Sequence, residues 1–422
     1  MMRIIKGSGV ILLFKILGAA SLLLVHIIIS RYYGVEKLGV FNLILGLMMI
    51  ASMFSRLGLD LYVIRVIPAL ENDSRKLQLF LKQVFKILFV GAVIAGTLIF
   101  LLSGILNNYI FKSSDALSYI VWLSLIIIPF SLFSVLPEVL RAFGKISAYA
   151  FYRNLSQNLF ILLLLIPGVL SLIKFDPVYV LYFSLTLIAL LLSFVTLRLL
   201  KEKELNLFEK GRYRDAIVPN SYPMMLTASM MAVMAYVDSF MISFYMSEYE
   251  VGIYAACIKI SLPIMFLLSS VSNYILPLIS KNHKAKNYKE IVKLYRDSVK
   301  IVIFGSLPVV LFILTFPSFF LGIFGDEFRS YTHVLYVTIL MNVLSVLIGP
   351  AINILNMLDM QSYAKNILFV GLLVNVVLNA YFIPAFGLVG AATATLISTF
   401  IWKMLAFLRL KKGLKELDAF NK

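Results

Sequence analysis

Apolar runs of about twenty residues recur along the whole chain, divided by short stretches rich in charge, glycine and proline. "GVILLFKILGAASLLLVHIII" and "LFVGAVIAGTLIFLL" are typical. A helix rises ~1.5 Å per residue, so roughly 20 mostly apolar residues cross a ~30 Å hydrocarbon layer. On that rule the pattern predicts twelve spans, at 9–30, 39–64, 84–106, 117–140, 150–173, 177–199, 220–245, 252–279, 299–323, 331–357, 364–383 and 387–408. The expected fold is therefore an all-α polytopic membrane protein. The first run has the flanks of a secretory leader, but it continues to Ile29 and Lys15 interrupts it, so a retained first helix is expected.

Composition agrees. Of the 422 residues 61% are hydrophobic and 14% charged, where a soluble chain carries about 25% charged residues. Basic residues test the twelve-span reading independently. With both termini cytoplasmic, the inner segments hold 29 of the 38 Lys and Arg residues, and the outer turns hold only Arg31, Lys37, Lys112, Lys174 and Arg329. Such asymmetry is what the positive-inside rule predicts for an even number of spans. The net charge of +17 then reports topology and contact with anionic membrane lipid. It does not indicate nucleic acid, because the cations are scattered over many short loops. Cys257 is the single cysteine and lies in an apolar run, so disulfides have no role. No His/Cys cluster has metal-ligand spacing, and no GxSxG, P-loop or GxGxxG motif occurs. An enzyme is not expected.

Shifted by about 213 residues, the chain partly matches itself. Gly39-Val40-Phe41 falls on Gly252-Ile253-Tyr254, Asp60 on Asn273 and Pro137 on Pro350. "AYAFYRN" (148–154) aligns, one residue out of phase, with "MQSYAKN" (360–366). A six-helix duplication follows: a bundle at 1–200, a charged cytoplasmic linker at 201–216, a second bundle at 217–410 and a cytoplasmic tail at 411–422. Six spans per half make the repeats parallel, an arrangement suited to alternating access.

Two stretches resemble a known family. "RYYGVEKLGVFNLI" (31–44) is similar to the first hairpin of the polysaccharide flippases, of the Wzx type. "NVVLNAYFIPAFGLVGAATATLIS" (375–398) is similar to their penultimate hairpin. These proteins belong to the multidrug/oligosaccharidyl-lipid/polysaccharide exporter superfamily. The resemblance implies two six-helix bundles around a cavity. It further implies an undecaprenyl-pyrophosphate-linked oligosaccharide moved from the inner to the outer leaflet of a bacterial plasma membrane, with a polysaccharide polymerase and chain-length proteins as partners. O-antigen, capsule or a similar envelope polymer would be the end product.

Ionisable groups inside a span cost roughly 2.5–3.5 kcal/mol on insertion scales, so each is a functional candidate. Lys15 and His26 lie eleven residues apart in span one, three turns along one face. Arg56 and Asp60 are four apart and placed to pair; Asp238 lies in span seven and Lys259 in span eight. The resemblance gives spans one, two, seven and eight to the cavity wall, which makes Lys15, Arg56 and Lys259 candidate phosphate ligands. Asp238, His26 and Asp60 are candidate coupling or gate residues. H+ or Na+ would suit Asp238, though flipping requires no coupling ion; pairing of Asp238 with Lys259 as a gate is the alternative. In span ten, Asn342, Ser345, Gly349, Asn353 and Asn356 step along one helical face and suit sugar hydroxyls, with Ser131, Ser134, Glu138 and Arg141 answering on span four. The bland alternatives are snorkelling for Lys15, a structural ion pair for Arg56–Asp60, and interhelical hydrogen bonding for the polar stripes and for Asn375 and Asn379. Residues 281–300 read as an amphipathic helix on the membrane surface. A cation-coupled drug exporter and a peptidoglycan-precursor flippase are the alternatives of the same fold. A membrane glycosyltransferase is the alternative from another class, disfavoured because no outer turn is long enough for a domain.

Overall fold

The computed structural model describes residues 2–113, 115–170, 175–205, 211, 213 and 216–419. Half of the expected linker (206–210, 212, 214 and 215), the end of the expected span 150–173, Lys174 and the last three residues of the tail lie outside the described residues. Among the described residues every regular element is helical. Nine helical segments among them are long and apolar enough to cross a bilayer. The chain divides into two compact units, Met1–Ala232 and Val233–Lys422.

In the first unit, α1 (Met2–Tyr33) turns at Gly34 into α2 (Val35–Arg56). The expected single helix at 39–64 is broken. Leu57 takes a left-handed conformation and closes α2 by donating its N–H to Met53 O, and α3 (Leu59–Ala69) starts afresh. The chain then enters α4 (Ser74–Tyr109), capped by the Asp73 carboxylate, which accepts from the Lys76 N–H. The α5 helix (Ala116–Ala142) packs on α4 and on α8 (Pro177–Glu202), which opens with Pro at its first position and Asp176 as its cap. Between them run α6 (Ile146–Ala150), a π-helical turn at Phe151–Ser156 and α7 (Gln157–Val169), all packed along α1.

In the second unit, α9 (Ile217–Tyr245) gives its last turns and α10 (Glu248–Ser261) follows behind a Ser247 cap. Pro263, which has no N–H to donate, separates α10 from α11 (Ile264–Lys284), so the expected 252–279 helix is also two. The 281–300 segment is not a separate surface helix. Its first residues end α11, and the rest form the opening turns of the continuous α12 (Tyr288–Thr315). After the short α13 (Pro317–Gly322), α14 (Thr332–Ile348) stops at Gly349, whose φ of 72° and ψ of −159° no side chain adopts comfortably. Pro350 follows, and α15 (Ala351–Met357) leaves on a new axis. The last element, α16 (Gln361–Ala419), folds back on itself at Gly387 (φ 56°, ψ −135°). The return is tight: a Cβ on Gly390 would stand 2.0 Å from Phe382 O. The glycine pair of the second sequence motif is thus a folding requirement of a helical hairpin.

Large apolar side chains face outward in bands. On α4, Phe89, Ile94, Leu98, Phe100, Leu101 and Ile105 are all more than half exposed, far more than a water-facing helix tolerates. A hydrocarbon surrounding explains this without cost.

Candidate functional site

The densest buried polar cluster of the second unit centres on Asp238 of α9, which is 5% exposed. Both arms of α16 reach it. The Asn379 amide donates to Oδ1 at 2.7 Å and the Asn375 amide to the same oxygen at 3.2 Å. On Oδ2 the Thr395 hydroxyl donates at 2.6 Å and the Tyr254 hydroxyl, from α10, at 3.0 Å. Ser398 extends the network by accepting from Asn375 at 3.2 Å. Four donors saturate the carboxylate, which is how a buried charge is held without a counter-ion. The amide oxygens Asn375 Oδ1 and Asn379 Oδ1 are buried and meet no donor among the described residues. Asp238 does not pair with Lys259.

His26 occupies the equivalent place of the first unit under the repeat shift. It is fully buried. Its Nδ1 donates to Leu22 O at 2.8 Å, and its Nε2 lies 3.3 Å from Asn42 Oδ1. Asn42 is fixed in that orientation because its amide donates to Leu38 O at 2.8 Å. The Phe41 ring meets the imidazole edge-on at 5.8 Å, where Tyr254 stands in the second unit.

A second cluster in the first unit is charged. Arg56 donates from Nε to Ser52 O at 3.1 Å and from Nη1 to Asp60 at 3.0 Å, so the expected i,i+4 pair forms, but across the break at Leu57. Glu138 of α5, 6% exposed, faces Arg141 at 3.5 Å and Arg153 at 3.8 Å, and Arg141 stacks over the Tyr149 ring at 5.0 Å. Arg153 belongs to the π-helical turn, a deviation frequent at functional sites. Three guanidinium groups and two carboxylates leave this region net positive.

The first hairpin motif has a clear local task. Lys37, just past the Gly34 turn, pairs with the Asp176 carboxylate at 2.8 Å and with the Tyr119 hydroxyl at 2.6 Å, tying α2 to α5 and α8.

Residues 4–283 match the family described as polysaccharide biosynthesis protein, two thirds of the chain. The chain belongs to this family. Residues 223–401 also match the MatE family. Among curated relatives, the probable low-salt glycan biosynthesis flippase Agl15 of Haloferax volcanii is 26% identical over 39% of the chain and 35% of its own length. The probable flippase AglR of the same organism is 24% identical over 43% of the chain and 39% of its own length. An uncharacterised membrane protein of Methanocaldococcus jannaschii is 31% identical over 46% of both. The matched stretches thus span less than half of each relative. Among solved structures, an inward-facing multidrug MATE transporter superposes with a TM-score of 0.75 at 14% identity, covering 98% of this chain and 99% of that one. The lipid II flippase MurJ, inward closed, gives 0.73 at 16% identity over 98% and 90%. The fold is that of the exporter superfamily.

Placed in this family member, the sequence-derived candidates sort unevenly. Lys15 is half-buried on α1. Lys259 is half-buried on α10 and makes no ion pair or hydrogen bond among the described residues. Asn342 is committed to structure: its amide donates to Ser261 O at 3.2 Å and Ser261 Oγ at 3.0 Å, sealing the end of α10 to α14. Asn353 and Asn356 are half-buried on α15, on a different helical axis, so the five-residue stripe does not share one face. Ser131 and Ser134 bond back to the carbonyls of Ile127 and Phe130, and Ser131 also meets Ser55 Oγ. Sequence reasoning missed Lys403, 8% exposed on the second arm of α16, with its ammonium 4.8 Å from the Trp402 ring and no ion pair among the described residues. It also placed Asn375 and Asn379 with packing residues; their i,i+4 spacing opposite an intramembrane acid was the available signal.

Proposed function

We propose that this protein moves a lipid-linked oligosaccharide from the inner to the outer leaflet of the plasma membrane by alternating access. The chain would cross the membrane twelve times with both ends inside, the first and second halves forming parallel six-helix bundles. The glycan carrier would be undecaprenyl pyrophosphate or a similar polyprenyl phosphate, delivered to a polymerase that builds an envelope polysaccharide. The observation that carries this reading is Lys259 together with Lys403: two ammonium groups within apolar runs of one unit, with no carboxylate partner among the described residues. Uncompensated cations are costly at such depth, and an anionic substrate headgroup is the group they suit. Arg56 and Lys15 are the corresponding cationic candidates of the first unit. The printed names of the two Haloferax relatives support a glycan flippase. A cationic-drug exporter would need an acid open to its substrate, whereas Asp238 is nearly inaccessible and already holds four donors.

In this reading Asp238 is the coupling residue. Uptake of a proton or Na+ by its carboxylate would require one of the four donors to give way. The test uses vesicles holding the purified protein and a fluorescent polyprenyl-pyrophosphate disaccharide, with outer-leaflet label read by a membrane-impermeant glycosidase. Protein-dependent loss of the protected inner pool is expected, reduced at least tenfold in Lys259→Gln/Lys403→Gln. Equal flipping by that variant, or transport of ethidium in place of the lipid, would overturn the proposal.

A further inference from the structure

A slot between α12 and the end of α16 shares no lining residue with the Asp238, His26 or Arg56 clusters. It has a volume of about 570 Å³, within the ~300–1,000 Å³ of small-molecule sites. Its walls are Val292, Tyr295 and Val299 on α12 and Phe407 and Leu410 on α16. The Tyr295 and Phe407 rings stack at 6.3 Å and the Tyr295 hydroxyl donates to Ile348 O at 2.6 Å, so the wall is built and held. Around the mouth stand Lys289, Arg296, Lys300 and Lys411. The first three are seven and four residues apart, on one helical face. All four are exposed, and none has an ion-pair partner among the described residues.

The position of the slot identifies its surroundings. At ~1.5 Å per residue the 28 residues of α12 reach about 42 Å, longer than a ~30 Å hydrocarbon layer. The charged opening turns, through Lys300, therefore stand at the headgroup level while Ile301 and the residues beyond it enter the apolar layer. A greasy slot flanked by exposed cations at the headgroup level complements one class of molecule: an acyl chain carrying a negative headgroup. Basic pockets between spans at that level are the usual seats of anionic lipids. We propose that this slot binds one anionic glycerophospholipid of the surrounding membrane, with an acyl chain along Tyr295 and Phe407 and its phosphate on Arg296, Lys300 and Lys411. The site is separate from the proposed translocation chemistry and does not depend on it.

The test is native mass spectrometry of the full-length protein in mild detergent, offered equimolar phosphatidylglycerol and phosphatidylcholine. One tightly held phosphatidylglycerol is expected. A cation near a membrane surface contributes roughly fivefold, so Arg296→Gln/Lys300→Gln should weaken retention about 30-fold. Val292→Trp, which fills the slot and keeps every charge, should lower retention as well. Arg198→Gln/Lys201→Gln removes two cations from the first unit and should change nothing. Equal retention of the two lipids, equal loss in the control pair, undiminished binding in Val292→Trp, or a co-purified polyprenyl lipid in place of the phospholipid would each overturn the assignment. Unaltered helical circular dichroism in each variant separates lost binding from lost fold.

Discussion

Under the internal repeat, His26 and Asp238 fall within one residue of each other, and Phe41 falls on Tyr254. The two units have built opposite environments there. Each ring nitrogen of His26 faces an acceptor oxygen, from Leu22 and Asn42, beside an apolar Phe41 ring. Each oxygen of Asp238 faces two donors, and the ring equivalent to Phe41 has gained the hydroxyl that supplies one of them. One unit holds a base among acceptors, the other an acid among donors. A duplicated scaffold therefore need not duplicate its chemistry. A small change of partners at one level of the bundle lets only the second unit hold a buried negative charge, and the proposed coupling role follows that asymmetry.

The largest effect should come from Asp238→Ala. It strands two hydroxyls and two amides in a buried site, each worth about 1–3 kcal/mol when left without an acceptor, less what the hydroxyls recover by rotating. A net loss of roughly 2–5 kcal/mol is expected, read by the temperature at which a thiol reagent first reaches Cys257, the single and fully buried cysteine. Reagent access at the wild-type temperature would mean the four contacts are not held as described.

His26→Leu should cost less, about 1–2 kcal/mol, since Leu22 O keeps its helical partner, at most Asn42 Oδ1 is stranded, and the ring packing is kept in part. Its thermal midpoint by circular dichroism should fall, while gradient-driven flipping stays within severalfold of wild type. Loss of driven transport equal to that of Asp238→Asn would erase the contrast between the units.

Arg56→Lys should follow at roughly 1–2 kcal/mol, because Lys cannot bond Ser52 O and Asp60 together across the break at Leu57. An unshifted midpoint would show that only the charge matters.

The smallest change is Tyr254→Phe, which makes the second unit resemble the first. One donor of four is lost, about 1 kcal/mol, and the onset of Cys257 labelling should move by only a few degrees. A shift as large as that of Asp238→Ala would make Tyr254 the main support of the carboxylate.

The apolar periodicity made most helices legible, because burial in lipid demands long uninterrupted hydrophobic runs. It did not reveal the breaks at Leu57 and Gly349, because the apolar run resumes directly beyond each and the change of axis lies in the backbone conformation. For the same reason the Asn342–Asn356 stripe looked like one face: spacing alone cannot register a new helix axis. Intramembrane ionisable residues were legible as candidates, but their partners were not. Asp238 meets Asn379 across 141 positions and Lys37 meets Asp176 across 139, and no local pattern encodes such pairings. Lys403 escaped notice because it sits near the polar end of a run, where a lysine is ordinarily expected to snorkel.

The proposed coupling at Asp238 is tested most directly by flipping in vesicles with an imposed proton or Na+ gradient, comparing wild type with Asp238→Asn. Wild type should concentrate the lipid-linked disaccharide in one leaflet when the right gradient is present and only equilibrate it when none is. Asp238→Asn should equilibrate it in both cases, at a similar rate. Gradient-driven accumulation by Asp238→Asn equal to that of wild type would contradict the account.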